Sequence, residues 1–123
     1  MSVFGKAQSN RQDSKVTEKF FSEPKIEINT PAFEKKKGFT GYQDMIAFVN
    51  TQLSKHADVM TLSFIGMSQK GKEIPMILLN KKSTGSELKI KVWIQASLHG
   101  DEPGSTEGVL YVLDKLLNDS NYS

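Results

Sequence analysis

Lys89-Ile90-Lys91-Val92-Trp93-Ile94-Gln95-Ala96-Ser97-Leu98-His99-Gly100-Asp101-Glu102-Pro103-Gly104 is the stretch on which the fold turns. Its first half alternates. Ile90, Val92 and Ile94 fall on one face and Trp93 on the other, so residues 89–96 read as a β-strand. His99 to Gly104 then breaks the pattern. From Ser105 the period changes to that of a helix, with Val109, Leu110, Val112, Leu113, Leu116 and Leu117 forming a broad apolar face that needs burial. The helix should end near Asn118. A strand feeding directly into such a helix is the first half of a strand–helix–strand crossover, the unit of an α/β fold. No strand pattern follows the helix, so the expectation is an α/β domain that is incomplete as written.

Upstream, Thr40 and Gln43 have the spacing of a capping box. Tyr42, Met45, Ile46, Val49 and Leu53 recur at three- and four-residue steps, which predicts an amphipathic helix running to about His56. Met60, Leu62 and Phe64 alternate with Thr61 and Ser63, a strand over 59–65. Gly66 to Lys72 is a polar, glycine-bounded turn, and a second strand over 73–79 returns to make a hairpin. Pro75 cannot donate to a ladder and belongs on an edge or at the strand start. Residues 80–87 read as a loop. Ahead of all this, residues 1–30 are polar and aperiodic, and flexibility is the expectation for them; the domain is assigned to 31–123.

Composition removes several classes of function. Sixteen basic side chains nearly balance fourteen acidic ones in the 123 residues, a net charge of +2. No strong field draws in nucleic acid or anionic lipid. The run Lys35, Lys36, Lys37 has no interleaved aromatics and reads as a solvated loop. There is no cysteine, hence no disulfide framework and no thiolate site. No apolar run reaches the roughly 20 residues a membrane span needs. The first residues lack the basic and apolar regions of a complete signal peptide. Oligomeric state is not legible.

His99 and Glu102 form an H-x-x-E spacing at a strand exit and a helix start. An imidazole nitrogen and a carboxylate oxygen so spaced can meet one ion if the backbone turns sharply between them. Gly100 permits that turn, and Pro103 can initiate the helix. Zinc takes N and O ligands at about 2.0–2.2 Å, with three protein ligands and an open position in catalytic sites. Four letters are a weak signal alone. The plain alternative is a loop histidine and a glutamate favoured by the positive end of the helix. The position beyond the carboxyl end of a strand, where α/β sheets place ligands, favours the site.

From Tyr42 to Leu117, roughly three-fifths of the chain, the sequence resembles the start of the zinc carboxypeptidases, the carboxypeptidase A-like metallopeptidases. A helix containing Tyr42 and Met45 precedes a strand ending Phe64-Ile65-Gly66. Ile65-Gly66-Met67-Ser68-Gln69-Lys70-Gly71-Lys72-Glu73-Ile74 resembles the family's I-G-x-S-x-x-G-R/K-x-I turn. The strand Val92-Trp93-Ile94-Gln95-Ala96 then leads into the H-x-x-E zinc motif. Each part alone is unspecific; their order and spacing together are not.

The resemblance implies a mixed-sheet α/β/α domain of which three strands and two main helices are present. It implies zinc as cofactor, His99 and Glu102 as two ligands, and a peptide or protein substrate cut at its C-terminal bond. It admits a secreted or periplasmic setting. The family's third ligand, a distant histidine, is expected downstream. So are its substrate-clamping arginine, its pocket tyrosine and its general-base glutamate. No catalytic or substrate-binding residue is therefore identified in this chain. The only other histidine, His56, lies at a helix end before the hairpin, where a histidine ordinarily faces the negative dipole end. Glu107 lies inside the last helix and is expected to face solvent, and Asp101 stands where family members carry arginine. The segment His99 to Gly104 also resembles the motif of zinc deacylases of the desuccinylase and aspartoacylase type, which hydrolyse small N-acyl amino acids. A third reading is a non-catalytic remnant or binding module.

Overall fold

The computed structural model describes residues 13–20, 26–35, 38–81 and 90–121. The fold is mixed α/β, with a two-stranded antiparallel sheet and helices. In chain order the elements are α1 (Ser14–Phe20), α2 (Pro31–Glu34), α3 (Tyr42–Lys55), β1 (Met60–Met67), β2 (Glu73–Leu79) and α4 (Gly104–Asn118).

The periodic reading of α3 holds. Val49 is 1% exposed, and Met45, Phe48 and Leu53 pack beside it. The expected capping box does not form. Gly41 is the N-cap and no side chain caps the helix. Thr40 turns its hydroxyl instead to a residue of α4, described below.

β1 and β2 pair with Met60 opposite Leu79, Leu62 opposite Ile77 and Phe64 opposite Pro75. The register then shifts before Met67 meets Glu73. Pro75 offers no N–H at the point where the ladder slips, as its chemistry requires. The connecting turn closes through Gly71 N–H to Ser68 O at 2.9 Å and Ser68 N–H to Lys72 O at 2.7 Å. Gly71 has φ +69°, a left-handed conformation that suits glycine. The Tyr42 hydroxyl donates to Glu73 O at 3.0 Å, so the start of α3 is tied to the start of β2.

α4 supplies Leu110 and Leu113, which join Val49 and Met60 as the buried core. Leu62, Ile77, Leu79 and Leu117 surround them. Only half of the apolar face of α4 is used; Val112 and Leu116 stay exposed at 38% and 40%.

The expected third strand is a correction. Residues 90–97 carry no strand pairing, and the sheet contains β1 and β2 alone among the described residues. Ile90 is 91% exposed and Val92 76%. Alternation shows which face a strand would bury. It does not supply a ladder, and a strand of the crossover type is stable only between partners that cover it. No strand follows α4 among the described residues. Ser14–Phe20 is a short helix where no periodicity announced one.

Candidate metal centre

The loop between residue 97 and α4 brings His99 and Glu102 together. His99 Nδ1 lies 3.3 Å from Glu102 Oε2. The two side chains are 65% and 66% exposed, so both donors open to solvent. A tetrahedral ion with N and O ligands at about 2.0–2.2 Å holds two of them roughly 3.3–3.5 Å apart. The observed separation therefore fits one edge of a zinc tetrahedron, and it also fits a direct imidazole–carboxylate contact.

The turn that makes this approach possible is not at Gly100. Gly100 has no positive φ; Ser97 does, at 52°. A left-handed non-glycine residue is uncommon and needs its surroundings to hold it. The surroundings are hydroxyls. Ser97 N–H donates to Ser105 Oγ at 2.9 Å, and Ser97 Oγ meets Thr106 Oγ1 at 2.6 Å. Ser105 Oγ–H in turn donates to Glu102 O at 2.9 Å. Pro103, with φ −67° and ψ −19°, is already helical and opens α4 as expected. The hydroxyl cluster escaped sequence reasoning. Its one trace there is the placing of Ser97 and Ser105 on either side of the motif.

The other candidates go elsewhere. His56 Nε2 bonds to Asn118 Oδ1 at 3.0 Å. Asn118 is the last residue of α4 and His99 precedes its start. A 15-residue helix spans about 22 Å, so His56 stands at the far end from His99. Glu107 does not face solvent freely. Its Oε1 accepts Thr40 N–H at 2.6 Å and its Oε2 accepts Thr40 Oγ–H at 2.8 Å. Asp101 is exposed. No group of three or more His, Cys, Asp or Glu residues that could hold a metal occurs among the described residues. The His99–Glu102 pair has a spacing compatible with zinc, and among the described residues no third such side chain joins it. A concavity of about 270 Å³ lies at the C-terminal end of α4, between Glu27, Asn29, Asp114 and Asn118, away from this pair. Among the described residues no helix is long and apolar enough to cross a membrane.

A family model described as zinc carboxypeptidase matches residues 45–123, which takes in α3 from Met45 onward, the hairpin, the His99–Glu102 loop and α4. No curated protein matches the chain.

Proposed function

The chain belongs to the zinc carboxypeptidase family, and from that premise we propose that His99 and Glu102 are two of the zinc ligands of a carboxypeptidase site. The observation that carries the proposal is the 3.3 Å approach of His99 Nδ1 to Glu102 Oε2 on a hydroxyl-braced loop. The chemistry zinc supplies when bound is polarisation of a substrate carbonyl and activation of water. The part played by this chain is to present an imidazole and a carboxylate from one short turn and to keep them accessible to a peptide. Asp101, between them, is exposed and adds a carboxylate to the same turn.

On this reading, residues 31–123 are the N-terminal portion of a catalytic domain. Two ligands hold zinc less securely than three, and proton transfer needs a positioned base worth about 10²–10⁴-fold. A site limited to these two donors should therefore release C-terminal residues from peptides at no useful rate.

The test is a zinc titration followed through the ring ¹⁵N resonances of both histidines. The His99 ring should shift and the His56 ring should not. His99→Ala should abolish binding, and His56→Ala should leave it unchanged. Zinc perturbing His56 in preference to His99 would overturn the assignment.

A further inference from the structure

Both ends of the ligand loop meet at one atom. Ser105 Oγ accepts the amide of Ser97 and donates to the carbonyl of Glu102, each at 2.9 Å. The six residues 97–102 are thus bridged end to end by one hydroxyl, with a longer backbone bond from Ser105 N–H to Glu102 O at 3.4 Å beside it at the second end; His99 lies between the two points of closure and Glu102 at the second. Little else restrains this loop. Leu98 is 76% exposed, so the loop has no apolar anchor there. Inside it, Glu102 N–H reaches His99 O at only 3.3 Å. The Thr106 hydroxyl assists by holding the side chain of Ser97 at 2.6 Å.

We infer that Ser105 is a positioning residue for the metal ligands, acting through the backbone at Ser97 and Glu102. The inference rests on the reading of His99 and Glu102 as zinc donors. The Ser105 hydroxyl touches neither donor side chain in the contacts described. It ties the backbone before His99 to the backbone of Glu102, and it supports Ser97 at φ 52°. Without it, the Ser97 amide turns to water and the left-handed residue loses a support. Each donor then moves independently, and zinc must order the loop as it binds. Removing an outer partner of a metal ligand typically costs 10–100-fold in affinity. Ser105 acts one step further out, so about tenfold is expected.

The experiment uses the full chain and zinc alone as probe. Zinc affinity is measured by competition with a chromophoric chelator for the parent chain, Ser105→Ala, Ser105→Thr and His99→Ala. Amide hydrogen exchange at Ser97, Leu110 and Leu113 is measured without metal. Ser105→Ala should weaken zinc by about tenfold and speed exchange at Ser97 while Leu110 and Leu113 stay protected. Threonine, which keeps the hydroxyl, should restore both. Zinc binding lost in His99→Ala but intact in Ser105→Ala overturns the positioning role alone. Zinc binding that survives His99→Ala overturns the site reading and this inference with it. General loss of protection at Leu110 and Leu113 in Ser105→Ala, without rescue by threonine, assigns Ser105 to the fold and also overturns the inference.

Discussion

Glu107→Ala tests how the start of α4, next to the candidate metal loop, is anchored to the rest of the domain. Glu107 lies in the first turn of α4, one turn beyond Glu102, and its carboxylate takes two hydrogen bonds from Thr40, 67 positions earlier. Thr40 sits just before the N-cap of α3, so this clasp joins the starts of the two helices that make the core. Hydrogen bonds to a charged acceptor contribute about 1.5–3 kcal/mol each. Both residues are partly exposed, and water can replace part of what is lost. The lower end applies, and Glu107→Ala should destabilise by about 2–3 kcal/mol. For a domain of this size that corresponds to a fall in Tm on the order of 10–20 °C.

Glu107→Gln keeps an acceptor for one of the two donors but not the charge, and should cost about 1 kcal/mol. The assay is urea unfolding followed by far-UV circular dichroism. Trp93 is 69% exposed in the native chain, so its fluorescence is a poor reporter of the core. A double-mutant cycle with Thr40→Val isolates the hydroxyl half of the clasp and should show coupling of about 1 kcal/mol. Glu107→Ala within about 0.5 kcal/mol of the parent chain, or strict additivity with Thr40→Val, would refute the reasoning.

Leu110→Ala, at a site only 3% exposed between the helices and β1, should cost about 2–4 kcal/mol in the same unfolding assay; a loss below about 1 kcal/mol would mean that α4 is not docked as described. The Lys35 ammonium bonded to Asp44 holds that carboxyl below its ordinary value of 3.8, against a smaller opposing effect of burial. Because the folded value is the lower one, the contribution is fully present above the unfolded pKa and is lost as pH falls through the folded value. Asp44→Asn should therefore flatten the acid side of the stability profile below about pH 4, and an unchanged slope in acid unfolding would remove the pair from the argument.

The elements that hold the core could be read directly. Met45, Val49 and Leu53 on α3, Met60 and Leu62 on β1, and Leu110 and Leu113 on α4 all lie where the periods put them. Periodicity works there because each side chain's face follows from its own position along one element. The motif was equally legible, since His99 and Glu102 are three residues apart and one turn brings them together. Thr40 shows where this stops. Its spacing to Gln43 satisfied a local rule, yet its hydroxyl found a carboxylate 67 positions away. A charged acceptor is the stronger partner, and its presence is a fact of tertiary packing.

By itself, the sequence determined the helix–hairpin–helix order, the apolar faces, the candidate zinc donors and the family. These depend on spacings within about fifteen residues, over which backbone geometry converts sequence separation into direction. Tertiary structure alone decided the rest. It placed His56 against Asn118 at the far end of α4, away from the candidate metal centre. It put the left-handed turn at Ser97, which a hydroxyl cluster can hold, and not at Gly100, which merely could have adopted it. It left residues 90–97 unpaired despite their alternation. A strand is a relation between two segments, and one segment carries only half of that information.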